Sequence, residues 1–449
     1  ATRCGLTGHV GNDSQGVFIE VEGSAAALAD FRAALVTETP PLAHIEAVQV
    51  AALPLRHDTT FRIVESVAQA GAATLVSPDL CICDDCLREL HDPADRRYRY
   101  PFINCTNCGP RFTIIRDLPY DRPQTTMHAF PMCPACTAEY HDPANRRFHA
   151  QPNACPDCGP RVWFTGVDDA DPIRAAQAAL RAGQIVAVKG LGGFHLACDA
   201  TNAAAVSRLR HRKRREARPL AVMVADLDIA RRIADLNHAE VALLTGRERP
   251  LVLLRKRAIL DAVTGPHNPY VGVMLPYTPL HDLLLDGLDF PLVMTSGNYS
   301  GEPMITDNAV ALEKLGDIAD AFLLHDRDIH VPCDDSVVRI LDDRELPVRR
   351  SRGYAPFPVS LPFAVPPVLA VGGELKNTFC LTRDRHAFMS QHIGDMENLE
   401  TLAAFAHAYD HMRGLFRVTP QVVACDSHPN YLATRWAQDY ARSHDLPLI

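Results

Sequence analysis

Nowhere in its 449 residues does the chain hold eighteen consecutive apolar positions, so no stretch can cross a membrane as a helix. It has no basic excess either: 45 Lys and Arg stand against 54 Asp and Glu, a formal net charge of −9. That balance argues against a nucleic-acid partner. Aromatics are scarce at 7%, which weakens that class further. The opening "ATRCGLTGHVG" lacks the basic-then-apolar pattern of a secretory signal. It also lacks Met, and "HDLPLI" stops as if inside a strand; we expect an interior piece of a longer protein.

What the chain has is cysteine, 14 in all. Cys4, Cys198, Cys333, Cys380 and Cys425 are scattered singly, and Cys81 precedes the others. Dense pairing in a short chain marks secreted scaffolds; this distribution suits a reducing cytosol and a cytoplasmic protein. The remaining eight form two copies of one unit, "CDDCLRELHDPADRRYRYPFINCTNCGPRF" and, fifty residues on, "CPACTAEYHDPANRRFHAQPNACPDCGPRV". Within each the spacing is C-x2-C-x18-C-x2-C. Each CxxC knuckle can place two thiolates on one ion, and a second knuckle completes a tetrahedron, the donor set of structural zinc. Two sites follow, Cys83/Cys86/Cys105/Cys108 and Cys133/Cys136/Cys155/Cys158, with pairing across the repeats left open. His91 and His141 are alternative ligands, but Asp92 and Asp142 before Pro are expected to cap short turns. With little aliphatic periodicity, 67–165 is expected to fold on metal rather than on a core, and to unfold first when Cys83 or Cys133 is replaced.

The flanks read differently. Residues 1–66 look like a small α+β piece: strands at "GVFIEVEG", "HIEAVQVAAL" and "FRIVES", and a helix opened by Ser24. Between 172 and 362, strands and helices alternate as in an α/β domain. "VSLPFAVPP" reads as a Pro-rich linker, and "VLAVGGELKNTFCLT" as the strand–turn–strand start of another domain at 366–449.

Several motifs carry chemistry. "RLRHRKRREAR" (208–218) is either a phosphate-binding run or a solvated basic helix. "TSGNYSG" offers Thr295, Ser296 and Asn298 on a turn after a buried strand, suited to phosphate oxygens. Lys189 opens the glycine-rich "KGLGGF", whose glycines allow close approach of backbone to a ligand. His195 and His281 are taken as structural histidines.

The eight-cysteine array followed by "KGLGGFHLACDA", "RKRREARPLAVM", "LPYTPLH", "TSGNYSGEP", "CDDSVVR" and "RRSRGYAP" closely resembles the HypF family, the carbamoyltransferases of [NiFe]-hydrogenase maturation. The resemblance covers essentially the whole chain. It implies a multidomain α+β and α/β protein: a partial ferredoxin-like acylphosphatase domain (1–66), a tandem Cys4 zinc-finger domain with two structural zinc ions (67–165), a YrdC-like domain (172–362) and the start of an actin-like (ASKHA) domain (366–449). "GLTGHVGNDSQGVFIEVEG" resembles an acylphosphatase signature in which Asn12 positions the attacking water, its partner arginine falling before residue 1; otherwise Asn12-Asp13 and Gly16 simply make a turn. The family pattern also implies that Lys189, Lys213, Arg215, Thr295, Ser296, Asn298, Ser336 and Arg352 bind the nucleotide. The chain departs from it in reading "VPCDDSV" where an Asn-Arg pair is expected, near Val331 and Pro332. "QHIGD" and "CDSHPNY" match motifs of the last domain. The implied substrates are carbamoyl phosphate and ATP with Mg2+, and the implied protein partner is HypE, whose C-terminal cysteine receives the carbamoyl group for synthesis of the cyanide ligands. Alternative readings are a threonylcarbamoyl-adenylate synthase of tRNA modification, an antibiotic O-carbamoyltransferase, and a zinc-ribbon nucleic-acid-binding module; the two enzymes have no reason to carry the paired cysteine units.

Overall fold

The computed structural model of the chain describes residues 1–13, 16–39, 45, 47–64, 75–166, 171–215, 218–257, 260–265 and 267–449. They fall into two compact units, Ala1–Thr74 and Leu75–Ile449.

In the first unit, strands Thr7–Asp13 and Gly16–Glu22 form a hairpin, with Asn12 opposite Val17 and Asp13 opposite Gly16. Strand Phe61–Ile63 joins Thr7–Asp13 in parallel. The strands approach closely at Gly8, where a Cβ would lie 2.1 Å from the Glu20 carbonyl oxygen. Helix Ala25–Thr37 begins where the Ser24 hydroxyl accepts the Ala27 N–H at 3.2 Å. The strand expected over 44–53 does not form: residues 45 and 47–53 are irregular. Their large apolar side chains (Ile45, Val48, Val50, Leu53) are exposed, and among the described residues no neighbouring strand supplies the ladder that strand propensity alone cannot. The side chain of Asn12 lies outside the described residues.

The second unit is built on one mixed sheet. Among the described residues eleven strands belong to it: ten run from the edge Arg344–Arg349 through Val337–Leu341, Leu251–Lys256, Tyr270–Met274, Ala221–Met223, Leu292–Ser296, Phe194–Asp199, Val186–Lys189 and Ala321–His325 to Val162–Phe164, and Ala234–Asp235 pairs with Leu251–Lys256 off that path. Both faces are covered, so the central strands read as unbroken apolar runs. Val186 and Val188 pack on one face with Leu180, Leu280 and Leu283; Ala187, Phe194 and Leu196 pack on the other with Val206, Leu209 and Leu315. Period-two alternation divides them.

The cysteine-rich segment lies against the first face. Ile82, Leu90, Tyr100, Phe102, Ile103 and Ile114 belong to the same buried cluster as Leu280 and Tyr277. Backbone bonds tie the two parts: the Ile82 N–H donates to the Tyr277 carbonyl at 3.1 Å and the Cys81 N–H to Arg247 at 3.0 Å. His91 Nε2 is 2.7 Å from Asp282 Oδ2. The expectation of a segment without an apolar core is therefore corrected. Its few large side chains are irregularly spaced because they fill gaps under a sheet instead of forming one helical or strand face.

Beyond the large sheet, Val359–Val365, Cys380–Met389, Val368–Ala370 and Val422–Ala424 form a second one, in that order. Helices Leu399–Phe416 and Leu432–Ser443 bury Phe405, Tyr409, Met412 and Ala437 with it. "VSLPFAV" is thus a strand, not a linker. Its place at the sheet edge accommodates Pro362, which lacks an N–H to donate.

Leu90 is wholly buried in the shared core. Leu90→Ala should lower stability by about 2–5 kcal/mol. Hydrogen exchange should accelerate in helix Pro279–Leu285 as well as around the cysteines; loosening confined to 75–165 would refute the shared core.

Candidate metal centres and active site

Each cysteine unit opens with an eight-residue helix, Asp84–His91 or Pro134–His141, capped by Cys83 or Cys133. Asp92 Oδ1 then accepts the Ala94 N–H, and Asp142 Oδ1 the Ala144 N–H, both at 2.9 Å, giving the two expected turns. The four thiols of each unit converge on one another, not on the other unit's: all four sulfurs of a set lie within 4.8 Å. Neighbouring Sγ–Sγ distances are 3.5–3.8 Å. Zn–S bonds of about 2.3 Å in a tetrahedron require sulfurs about 3.8 Å apart, so both sets fit a zinc ion. His91 and His141 are in neither set.

The reason for duplication lies in the arginines between the knuckles. Arg96 and Arg97, from the first unit, reach the second: Arg96 Nη2 donates to Cys136 Sγ at 3.1 Å and to Glu139 Oε2 at 2.7 Å. Arg97 grips Glu139 with both terminal nitrogens and donates its Nε–H to the Ala154 carbonyl at 2.8 Å. Arg146 and Arg147 return the exchange. Arg146 Nη1 donates to Cys86 Sγ at 3.1 Å, and both arginines pair with Glu89. Four thiolates around a divalent cation leave two negative charges; Arg146 brings a guanidinium from the second repeat to Cys86, and Arg96 and Arg97 bring two from the first repeat to Cys136. Burial opposes the charge on Glu139, but the two arginines outweigh it and hold its pKa at about 2.

The second centre is a cavity of about 640 Å³ between the large sheet and the C-terminal part of the same unit. Lys213, Arg215, Thr295, Ser296 and Asn298 all line it. Helix Ala203–Arg212 ends just before Lys213, and Arg214 takes a left-handed φ of 52°. The basic run is therefore not a solvated helix. Arg208, Arg210 and Arg212 bind backbone carbonyls of Gly183, Val263 and Ile318, while the turn swings Lys213 and Arg215 inward. Lys213 Nζ donates to Ser296 O (2.5 Å), Asn298 O (2.6 Å) and Asn298 Oδ1 (2.8 Å), fixing the turn. Arg215 Nη1 is 3.4 Å from Thr295 Oγ1. Burial, then the charge of Arg215, pushes the Lys213 ammonium down to about 7; burial, then Arg218 and Arg349, pushes Arg215 down to about 10. Cations held this far below their ordinary values mark a site short of negative charge.

Lys189, Ser336 and Arg352 do not line this cavity. Lys189 is paired with Phe194 in the ladder and His195 with Val188, so Lys189 faces away from His195, and its Nζ donates to the His325 carbonyl at 3.2 Å. Ser336 Oγ donates to Arg352 O at 2.9 Å and accepts the Ser351 N–H at 2.7 Å. Arg352 is spent on Asp335, the carbonyls of Glu248 and Arg249, and the face of Tyr277. Nor do the glycines after Lys189 all serve a ligand: at Gly192 a Cβ would sit 2.3 Å from the Cys333 carbonyl, so it lets two backbones meet. Taking His195 as purely structural missed a cavity-lining residue, as are Asp334, Asp335, Gln391 and His392. A histidine inside the otherwise apolar run "FHLAC" was the available signal for His195. His281, in contrast, is fully buried away from the cavity, its pKa pushed down to about 3 by burial and by His195.

Family profiles match along the chain: "Acylphosphatase" at 1–63, "HypF finger" at 82–115 and again at 132–165, the Sua5/YciO/YrdC family ("Telomere recombination") at 178–351, and "HypF Kae1-like domain" at 364–449. A carbamoyltransferase HypF2 of Cupriavidus necator is 50% identical over 100% of the chain. The chain belongs to the HypF family. It spans 59% of the C. necator relative, and 58% of a Synechocystis carbamoyltransferase HypF that is 48% identical over 98% of the chain. A full-length HypF solved in a phosphate- and nucleotide-bound form superposes with a TM-score of 0.94 at 48% identity, covering 100% of this chain and 59% of that one. The HypF of T. kodakarensis gives 0.87 at 42% identity, with the same coverage of both chains.

The crossed arginines predict crossed effects on the metal. Arg146→Ala should weaken zinc in the first set, and Arg96→Ala in the second, on the order of tenfold each. Competition with a chromophoric chelator, on protein keeping one set and the other replaced by serines, reads which site is affected. Weakening of each arginine's own repeat would refute the exchange.

Proposed function

We propose that this chain performs the adenylating step of a HypF carbamoyltransferase. Carbamate attacks the α-phosphorus of ATP through its oxygen, the bond to the β-phosphate oxygen breaks, and pyrophosphate leaves with that electron pair, giving carbamoyl adenylate. The observation that carries this is the convergence of Lys213, Arg215, Ser296 and Asn298 on one cavity with its cations short of anions. Catalysis is then mainly positioning and charge neutralisation around the triphosphate, which arrives with Mg2+. Lys213 holds the Ser296–Asn298 turn while presenting its charge from beneath, and Arg215, with a buried Nε lacking a protein partner, has donor capacity to spare.

In the same proposal, the carbamate derives from carbamoyl phosphate in the acylphosphatase-like part, where Asn12 positions the water. The carbamoyl group then passes to the C-terminal cysteine of HypE, for the cyanide ligands of a [NiFe] hydrogenase in the cytoplasm. Among the described residues no helix is long and apolar enough to cross a membrane. The human threonylcarbamoyl-AMP synthase is 33% identical but aligns with only 29% of the chain, leaving the paired cysteine units without a role in that alternative.

Given ATP and carbamate from ammonium bicarbonate, the protein should release pyrophosphate. Lys213→Ala should cost about 2–4 kcal/mol in nucleotide binding or turnover; wild-type behaviour of both Lys213→Ala and Arg215→Ala would refute the site. A phosphate beside Lys213 restores its charged form, so ATP binding takes up a proton above pH 7. Affinity should fall as pH rises through about 7 towards the ordinary lysine value. Calorimetry between pH 7.5 and 9, in buffers of different ionisation enthalpy, reads that uptake, and Lys213→Ala should abolish it.

A further inference from the structure

Consecutive aspartates on the cavity wall each hold a histidine by one ring nitrogen. His195 Nε2 lies 3.0 Å from Asp335 Oδ2, and His392 Nδ1 lies 2.7 Å from Asp334 Oδ2. The opposite nitrogens, His195 Nδ1 and His392 Nε2, are buried and have no hydrogen-bond partner in the protein. Both residues line the cavity. His195 is also directly opposite Ser296 in the ladder between Phe194–Asp199 and Leu292–Ser296, which places it next to the turn that Lys213 fixes.

The carboxylate decides the tautomer. An ionised aspartate only accepts, so a neutral imidazole gives it the N–H and keeps a lone pair on the other nitrogen. Asp335 stays ionised despite complete burial because Arg352 and His195 face it. Behind the His195 ring, His281 is uncharged at neutral pH, so no cation there opposes the arrangement. Arg215 supplies donor capacity and Lys213 supplies charge to the cavity; His195 supplies a buried acceptor. A triphosphate has no N–H or O–H to give it at neutral pH. The second substrate of the proposed reaction does, because a carbamate ends in –NH2 where acetate ends in –CH3.

We propose that His195, oriented by Asp335, accepts a hydrogen bond from the amino group of the carbamoyl moiety and so separates carbamate from acids of the same shape that lack N–H. This rests on the adenylation reading. A site built to accept a substrate N–H rejects the analogue without it, because the acceptor is then left buried and unpaired.

Two unreactive adenylate mimics test it by calorimetry: 5′-O-(N-carbamoylsulfamoyl)adenosine and its N-acetyl counterpart, which differ only in –NH2 against –CH3. The wild-type protein should prefer the carbamoyl compound by at least about tenfold. His195→Ala should bring the two within about twofold, weakening the carbamoyl compound and relieving the acetyl compound of the unpaired acceptor. In His195→Asn the amide oxygen can take the position of Nδ1 and should restore most of the preference. Equal binding of both compounds by the wild type, or an undiminished preference in His195→Ala, overturns the inference and leaves the adenylation reading intact. Binding of neither compound by the wild type overturns both. The wild-type comparison requires no variant to fold.

Discussion

Burying two adjacent carboxylates is costly unless cations meet them, and Asp334 and Asp335 lie where the large sheet, the C-terminal part and the cavity come together. Burial alone would protonate both. Arg352 and His195 hold Asp335, and His392 and Arg349 hold Asp334, below the ordinary carboxylate range. Taking each ion from water costs several kcal/mol, and the return is positional. Arg352 is thereby tied to Tyr277, which bonds to the cysteine-rich segment through Ile82. His195 and His392, both lining the cavity, are each held in place by one of these carboxylates. Removing either carboxylate would strand a cation as well as free a histidine.

The cysteine units apply the same economy of charge. A set of four thiolates on zinc is an anion in a poorly solvated place, and neutralising it from within its own loop would leave the two units independent. Crossed arginines make each unit the other's counterion, so neither set is electrostatically complete alone. Because the shared core also runs under Leu280 and Tyr277, the fingers brace the face of the sheet opposite the one covered by helix Ala203–Arg212, the helix that delivers Lys213. They are a scaffold for the cavity that Lys213 lines, without themselves lining it.

Several features were legible in the residues. The C-x2-C-x18-C-x2-C spacing defines a donor set whatever surrounds it, and the structure chose the pairing within each repeat. Ser24 opens a helix as its capping chemistry dictates. Lys213, Arg215, Thr295, Ser296 and Asn298 meet at one cavity because a helix end and a strand end, both visible as motifs, converge there. What misled was local pattern without its neighbours: among the described residues the β-prone run at 45 and 47–53 has no strand to pair with, and Pro362 looked like a linker until an edge position excused its missing N–H.

By itself the sequence determined which groups are present and their local spacing: eight thiolates in two sets, a cationic run ending in a turn, a hydroxyl–amide turn after a buried strand, and family membership read from motif order. Only tertiary structure decided which of these groups face a ligand. Lys189 and His195 are six residues apart on paired strands, and the ladder turns one towards a carbonyl and the other into the cavity. Arg352 looked like a phosphate ligand until Asp335 and two carbonyls claimed it. The crossed arginines are invisible in one dimension because Arg96 and Cys136 are forty residues apart. Direction and partnership depend on register and packing, which a linear pattern of residue types does not contain.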